Sequence, residues 1–331
     1  VISFPIMKGK FYTARQFDYG EGTDGSWFPN IVVPTSLMVM NGQSEFNFIS
    51  GYDFKKDAGI VHVANHHISP GKKLFTWGDG DFGKAWANNL TDKDGPYVEL
   101  MTGVYTDNQP DFSWIQPYET KVFEQYWYPI RKIGVVKNAT IDAAVSFEVE
   151  NGNASIGFNT TGVFKQSTVI LKYHEKVLYE QKIDISPKDP FTAKVKLPSE
   201  EIDEQGLEVL LVSNDEKILV SYKPVKRGEK KPPETRLPAL PPKEIETTEE
   251  LYINGLHLEQ YRHHTYDPKE YYLEALKRDN EDIRCNNAMG MLEFRNGKFD
   301  AAERYFRKAM KRLISRNDNP YDTEVFYNLG L

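Results

Sequence analysis

Side chains that could transfer protons occur in two short stretches of this sequence. In the first, GIVHVANHH at 59–67, His62 lies in an apolar run, and His66 and His67 follow it beside the turn SPGKK. The run is typical of a β-strand, on which His62 and His66 would share a face but lie about 13 Å apart, too far for one metal ion. We expect a structural His62, no metal site, and sugar contact or proton transfer at His66 and His67.

The second stretch, at 96–120, has a carboxylate inside an apolar strand. Glu99 stands in PYVELM, where burial would raise its pKa toward the range of a general base. A loop with Asp107, Asn108 and Asp111 follows, and loops often carry functional groups. The alternative is a buried glutamate that holds a neighbouring loop in place.

Aromatic and glycine residues alternate closely at 75–86, in FTWGDGDFGKAW. Aromatic faces stack on the C–H faces of sugars, while neighbouring polar groups bind the hydroxyls. Trp77 and Trp86, together with Trp114 further along, are therefore candidates for a sugar platform. The alternative is that they belong to the core of a large β-fold.

The elements that must position these residues differ along the chain. Residues 1–139 contain all five tryptophans and many glycines, with short apolar runs between turns and no clear helical period, so we predict an all-β region. Its predicted strands lie at 31–33, 59–64, 96–101 and 121–128.

Residues 140–222 have the pattern of a separate small β-sandwich. In AVSFEVE, the side chains of Val145, Phe147 and Val149 alternate onto one face. Six or seven such short strands predict a sandwich of immunoglobulin-like size. Residues 223–247 are rich in proline and predict an extended, solvated linker.

From residue 248 the pattern is helical and repeats. Tyr272 and Ala275 recur as Phe306 and Ala309, an offset of 34 residues, which is the tetratricopeptide period. Small residues such as Gly290 would let the two helices of one repeat approach closely. The array over 248–331 breaks off in a third copy, and the chain has no initiator methionine, so we expect a section of a longer protein.

Part of the second stretch resembles the late signature of galactose mutarotase-like proteins. The matching pieces are VEL at 98–100, TDNQPDF at 106–112 and IQPYET at 115–120. The resemblance implies that Glu99 is the general base for the anomeric hydroxyl, opposite a histidine that acts as the acid. Tyr118 departs from the pattern, because that family usually has glycine there.

Longer stretches resemble a bacterial family of unknown function. They include HVANHHISPGKKLFTWGDGDFGKAW at 62–86 and GLHLEQYRHHTYDPKEYYLEALKRDNEDIRCNNAMG at 255–290. This family joins a mutarotase-like β-supersandwich to a small β-domain and tetratricopeptide repeats. The resemblance implies that residues 1–139 are the C-terminal part of the supersandwich, and that further glutamate and histidine residues of its pocket precede residue 1.

The composition argues against several classes of function. With 41 basic and 48 acidic residues the formal net charge is −7, so no basic excess attracts nucleic acid. No apolar run approaches the 20 or so residues of a membrane span. The single cysteine excludes an internal disulfide and a cysteine-based zinc module, and we expect no cofactor. One cysteine and no signal peptide favour the cytoplasm.

These observations predict a carbohydrate-active or carbohydrate-binding protein that acts at an anomeric centre, as a glycoside hydrolase or an epimerase. Glu99 would be base or nucleophile, and Asp107 or Asp111 the second carboxylate that hydrolysis needs. The helices would bind a protein partner or a second copy of the chain. The alternatives are a non-catalytic scaffold with a vestigial sugar site, and a peptide-binding protein inferred from the repeats alone.

Overall fold

The computed structural model describes residues 2–3, 9–13, 23–39, 45–105, 113, 115, 118–225, 238–261 and 266–331. The chain forms two compact units, Val1–Asn108 with Phe123–Lys231, and Gln109–Val122 with Pro232–Leu331. Within the described ranges, strands dominate the first unit and helices the second. The predicted fold class, β followed by α, is confirmed.

The first part of the chain forms a sandwich of two antiparallel sheets. Its strands are β1 (Ile2–Ser3), β2 (Gly9–Thr13), β3 (Thr35–Val39), β4 (Phe48–Asp53), β5 (Ala58–Val63), β6 (Gly71–Thr76), β7 (Val98–Gly103) and β8 (Tyr126–Arg131). Among the described residues, the strand orders are β1-β4-β5-β8 and β2-β3-β6-β7. Ile49 of β4 shares a buried cluster with Leu37 of β3 and Leu74 of β6, so the two sheets pack face to face.

A helix, α1 (Asp81–Leu90), interrupts the region that the sequence predicted to be all β. Gly78 has a φ of 87°, and a Cβ on Gly80 would lie 2.5 Å from the carbonyl oxygen of Val32. The glycines therefore let the loop before the helix lie against residues 31–33. That segment is not the predicted strand, because its carbonyls accept loop N–H groups, among them Gly80 N at 3.2 Å from Val32 O. The all-β prediction is wrong at these two places.

The predicted small β-sandwich is confirmed. Its strands are β9 (Asn138–Ala139), β10 (Ala143–Glu150), β11 (Asn153–Thr160), β12 (Phe164–Tyr173), β13 (Lys176–Ile185), β14 (Phe191–Lys196), β15 (Leu207–Val212) and β16 (Ile218–Tyr222). They form sheets of order β14-β11-β10-β9 and β13-β12-β15-β16. Val145 and Phe147 are buried in the core between these sheets with Val149 packed against it, as their alternation predicted.

The two sandwiches share an apolar contact. Phe48, Val61 and Ile130, on one face of the β1-β4-β5-β8 sheet, belong to one buried cluster with Val136 and Ala144. That sheet is therefore covered on both faces, by the second sandwich on one side and by its partner sheet on the other. The first sandwich is therefore stabilised by apolar contact with the second sandwich as well as by its own core.

The second unit is built from helix pairs, as the repeat period predicted. Its helices are α2 (Thr248–Tyr261), α3 (Pro268–Arg278), α4 (Ile283–Arg295), α5 (Phe299–Ile314) and α6 (Glu324–Gly330). A Cβ on Gly255 of α2 would overlap the ring of Tyr272 on α3, and a Cβ on Gly290 of α4 would overlap the ring of Phe306 on α5. In both helix pairs, a glycine of the first helix therefore lets an aromatic ring of the second pack directly against its backbone. No described helix combines the length and apolar character needed to cross a membrane.

Part of the proline-rich segment packs onto the helices. Ile245 is buried, Tyr271 Oη donates a hydrogen bond to the Leu240 carbonyl oxygen at 3.0 Å, and Arg278 donates to the Ile245 carbonyl oxygen at 2.7 Å. Residues 240 and 245 of the predicted linker are therefore held against the helices, while most residues of 238–247 are exposed, and the linker stays a prediction. Residues 226–237 of the predicted linker lie outside the described part.

Candidate functional site

One face of each sheet of the first sandwich looks toward the other sheet, and strand alternation decides which side chains share that space. Thr102 Oγ1 of β7 is hydrogen-bonded with His62 Nδ1 of β5 at 3.2 Å. Two residues earlier on β7, Leu100 Cδ1 would lie 3.5 Å from a Cβ on Gly51 of β4. These contacts identify the inter-sheet face, on which Ile60 lies two residues before His62.

At one end of this face the sheets leave an apolar cleft of about 690 Å³. Its walls include Trp27, Phe54 and Trp127, whose exposed fractions are 39%, 54% and 47%, together with Ile60 and Leu100. The volume is within the range of about 300–1,000 Å³ that is usual for small-molecule sites. Exposed aromatic rings around a concave space are suited to stacking on a ligand.

The inter-sheet face becomes polar beyond the cleft. The imidazole of His62 is fully buried, and its centroid lies 4.6 Å from that of Trp127, a cleft residue. Lys72 of β6 stands directly opposite Thr102 in the sheet register and has an exposed fraction of 0%. Its Nζ has no hydrogen-bond partner among the described residues, and neither has the buried hydroxyl of Ser69. We call His62, Ser69, Lys72 and Thr102 the polar end.

Burial controls the protonation of this polar end. It lowers the pKa of His62 to about 4; the Gln125 amide opposes the shift, and the charge of Lys72 adds to it. Burial also lowers the pKa of Lys72 to about 8. At neutral pH the imidazole is therefore neutral, while the ammonium still carries its charge.

His66 and His67 lie on the turn after β5, close to the polar end. Their ring centroids are 3.9 Å apart, and Asn47 Oδ1 accepts the backbone N–H of His66 at 2.9 Å and lies 2.8 Å from its Nδ1. The pKa of His66 is lowered by burial first, then by the charges of His67 and Lys72, whereas Glu45 raises it. A neutral His66 in this setting could exchange a proton with a bound group.

Glu99 lies on the other face of its sheet. On β7, Leu100 and Thr102 point between the sheets, so Glu99 points away from them. Its carboxylate is half-exposed, and its Oε1 accepts a hydrogen bond from Tyr97 Oη at 2.8 Å. The structure therefore does not bring Glu99 together with the two histidines.

Two of the residues predicted to form a sugar platform, Trp77 and Trp86, lie together on that outer face. Phe75 stands opposite Glu99 in the sheet, its ring is 5.0 Å from that of Trp77, and Trp77 stacks on Trp86 at 4.6 Å with an interplanar angle of 12°. We call Phe75, Trp77, Phe82 and Trp86 the outer patch. Its two tryptophans cover one ring face of each other, which leaves less surface for a ligand.

Four of the predicted site residues lie outside the described part of the chain: Asp107, Asn108, Asp111 and Trp114. Over the described ranges, no group of three or more histidine, cysteine, aspartate or glutamate side chains is placed to hold a metal ion.

Sequence reasoning missed Lys72, Trp27 and Trp127. The SPGKK segment was interpreted as a turn, yet Lys72 begins the run Lys72, Leu74, Thr76, whose members alternate and are all buried. That period of two was the available signal. Trp27 and Trp127 are 100 residues apart in the sequence, and no local pattern joins them.

Two family models match this chain. Residues 22–130 match a domain of unknown function, DUF5107, and residues 138–222 match the second domain of YphG-like proteins. The predicted resemblance to a family of unknown function with a second small β-domain is confirmed. The mutarotase-like part of that prediction stays a prediction.

Solved structures give weaker similarities. A TPR-domain containing protein from Parabacteroides distasonis is 13% identical with a TM-score of 0.28, over 99% of this chain and 43% of that one. A β-glucuronidase from Ruminococcus gnavus is 11% identical with a TM-score of 0.18, over 30% and 16%. Another structure of that enzyme, in complex with N1-substituted uronic isofagomine, is 10% identical with a TM-score of 0.19, over 67% of this chain and 47% of that one. This chain spans less than half of each, and similarities this low assign no function.

Proposed function

We propose that the first sandwich, which contains the match to the domain of unknown function, binds a carbohydrate in its inter-sheet cleft. One observation carries the proposal: three half-exposed aromatic rings, Trp27, Phe54 and Trp127, line a concave space of about 690 Å³. Aromatic faces recognise the C–H faces of a sugar ring without requiring a charged partner.

The polar end supplies the hydrogen bonds that sugar hydroxyls need. Thr102 and the neutral imidazole of His62 can each both donate and accept, and they lie two residues beyond Leu100 and Ile60 on the same face. A strand advances about 6.6–6.8 Å in two residues, which is close to the width of one sugar ring. A ring stacked in the cleft would therefore place hydroxyls near the polar end.

Chemistry at an anomeric centre, with Glu99 as base and His66 or His67 as acid, stays a prediction. A general acid and a general base must reach the same substrate atoms from opposite sides. The opposite orientation of Glu99 on β7 supports binding in the cleft more than catalysis by this pair. The scaffold alternative differs from our proposal in expecting no bound sugar.

A glycan array probed with the full chain, followed by calorimetry on the best ligand, tests the proposal. We expect Trp127→Ala and Trp27→Ala each to weaken binding about tenfold, since stacking on one ring contributes up to about 1.5 kcal/mol. Trp86→Ala is the matched control, because Trp86 is also a partly exposed tryptophan but belongs to the outer patch. We expect it to leave the affinity unchanged.

Each other outcome supports a different function. If Trp86→Ala removes binding and the two cleft variants keep it, the sugar platform is the outer patch beside Glu99. If the array shows no bound sugar, the first sandwich is a scaffold. Trp127→Ala could weaken binding by disturbing the fold, because Trp127 packs on the buried His62. Trp27→Ala avoids this ambiguity, because the ring of Trp27 packs on the exposed Phe54, with the ring centroids 6.2 Å apart.

The helical unit supports a second proposal, the docking of a protein partner. A groove of about 580 Å³ between the 238–247 segment and α2 has an apolar base that includes Ile245 and Leu258. Glu244 and Glu246 stand at its edge and carry negative charge, so a partner segment with basic residues would fit. Cross-linking of partners to the chain should decrease in the double variant Glu244→Gln, Glu246→Gln, and unchanged capture would contradict this docking site.

A further inference from the structure

Lys72 is fully buried, and its ammonium has no hydrogen-bond partner among the described residues. We propose that Lys72 recognises an oxyanion, so that the ligand of the cleft is an acidic saccharide whose carboxylate reaches the polar end. This inference rests on the proposed carbohydrate function, and it adds the class of ligand and the residue that selects it. No family match and no structural similarity assigns this role.

Lysine is rarely buried without a partner, since its ammonium has three hydrogen-bond donors and a charge that water no longer solvates. Lys72 has an exposed fraction of 0%, and its Nζ donates to no described acceptor. Tyr272 shows the usual arrangement in the same chain: its buried hydroxyl donates to Glu259 Oε2 at 2.9 Å. The missing counterpart at Lys72 is therefore an acceptor.

The charges around Lys72 favour an anion. Burial is the one cause that lowers its pKa, so no described carboxylate neutralises it. The charge of Lys72 acts on both His62 and His66, which places the three side chains in one region. At neutral pH the imidazole of His62 is neutral, so a carboxylate placed there would be attracted by the ammonium of Lys72.

The hydrogen-bond donors of the polar end suit the same ligand. The hydroxyl of Ser69, three residues before Lys72, is buried and has no described partner, and the hydroxyl of Thr102 lies opposite Lys72. A carboxylate has two oxygens and about four acceptor positions, enough for an ammonium and two hydroxyls.

The residue of the polar end that lies nearest to solvent is Thr102, at the edge of the sheet, whereas Lys72 itself has an exposed fraction of 0% and does not line the cleft. β7 is the edge strand of the described part of the β2-β3-β6-β7 sheet, and Thr102 on it is half-exposed. Leu100, two residues before Thr102 on the same face, lines the cleft. To bring a carboxylate beside Lys72, a saccharide in the cleft would have to reach about 6.6–6.8 Å along β7 from Leu100 to Thr102, and the buried side chains there would have to move aside.

The test uses the full chain and two kinds of probe. Calorimetry compares uronic-acid oligosaccharides with neutral oligosaccharides of the same length, and thermal unfolding at low ionic strength is followed against sodium acetate, sulfate or phosphate. The variants are Lys72→Met and Lys72→Gln, each checked for folding by circular dichroism. Lys73→Met is the matched control, since it removes the neighbouring charge on the other face of β6.

We expect the acidic oligosaccharide to bind at least tenfold more tightly than the neutral one, and this preference to disappear in both Lys72 variants but not in Lys73→Met. We also expect acetate to raise the unfolding temperature of the original chain in a saturable way, and not that of Lys72→Met. If sulfate or phosphate is the stronger stabiliser, the oxyanion is an ester of that acid rather than a carboxylate.

The outcomes separate this inference from the proposed function. If neutral sugars bind and acidic ones bind no better, or if the Lys72 variants keep the preference, the role of Lys72 is wrong and the sugar cleft stands. If no saccharide binds but acetate still stabilises the chain through Lys72, the sugar cleft is wrong and the oxyanion site stands. No binding and no stabilisation would overturn both.

Discussion

The two sandwiches of this chain have the same construction and different interiors. Within the described residues, each packs one four-stranded antiparallel sheet on another. Between the sheets of the second, fifteen buried apolar residues form one cluster. Between the sheets of the first, a small cluster around Ile49 and Leu74 adjoins the cleft on one side and the buried polar side chains of His62 and Lys72 on the other. An interior that is filled with apolar side chains stabilises the fold. An interior that is open and partly charged has room for a ligand.

The two sandwiches also differ in the buried polar residues that they contain. In the second sandwich they are Ser146, Asn159, Thr160, Ser167 and Ser213, and none of them is charged. Asn159 also has a structural task, because its Oδ1 accepts the backbone N–H of Arg131 at 2.9 Å and so joins the two sandwiches. A buried charge without a partner lowers stability and is retained most readily where it serves a function.

The largest expected effect is on the filled core. Phe158 is fully buried in the second sandwich, so Phe158→Ala should lower the free energy of unfolding by about 3–5 kcal/mol through lost contacts and a cavity. The control is Phe82→Ala in the outer patch, where the ring is largely exposed and the loss should stay below about 1 kcal/mol. Urea denaturation measures both. Equal losses would contradict the assignment of the second sandwich as the stabilising one.

Acid should destabilise the first sandwich through His62. Its folded pKa of about 4 is below the unfolded value of 6.5, so the unfolded chain binds more protons between these values. Stability is then lost as the pH falls from 6.5 to 4, by up to about 3 kcal/mol from this residue. His66, whose pKa is also lowered by burial, acts in the same direction.

His62→Gln removes this titration while keeping a polar side chain of similar length. Unfolding measured across pH 4–7 should therefore show a flatter profile for His62→Gln than for the original chain. Parallel profiles would mean that His62 does not titrate in the way that its burial requires.

Replacing the buried ammonium should stabilise the chain. Lys72→Met keeps an unbranched side chain that is one atom shorter and removes the charge, so we expect a gain of about 2 kcal/mol at pH 7. The folded pKa of about 8 lies below the unfolded 10.5, so the original chain gains stability as the pH rises from 8 to 10.5. The difference between the two proteins should shrink over that range. A loss of stability in Lys72→Met at pH 7 would show that the ammonium has a stabilising partner.

Much of the fold could be predicted because local patterns determine it. The alternation of Val145 and Phe147 predicted both the strand and its buried face, and the recurrence of Tyr272 as Phe306 predicted a helix pair that approaches closely at Gly290. The close approach at Gly255 was not predicted, although it has the same form. The helix α1 was missed because glycines stand before it and inside it. Gly78 and Gly80 allow a close approach to residues 31–33, which are distant in the sequence, and Gly83 of the helix lies against the carbonyl groups of Trp77 and Gly78.

The candidate site was harder to predict, because the sequence does not say which face of a strand meets the second sheet. Glu99 and Thr102 lie in one short strand, and the contact of Thr102 with His62 across the sandwich decides that Glu99 points outward. Lys72 was interpreted as part of a turn, and its burial depends on the packing of β6 against the other sheet. A period of two gives the alternation of side chains, and packing alone gives its direction.

The smallest expected effect tests whether the two sandwiches unfold in a single cooperative transition. Tyr128 Oη of the first donates to the Thr140 carbonyl oxygen of the second at 2.8 Å, so Tyr128→Phe should lower stability by about 1 kcal/mol. Calorimetry then decides between two arrangements. A single transition that shifts as a whole means that the filled sandwich supports the open one, and that the open interior of the first depends on its neighbour. Two transitions, with only one shifted, would mean that the first sandwich is stable despite its charged interior.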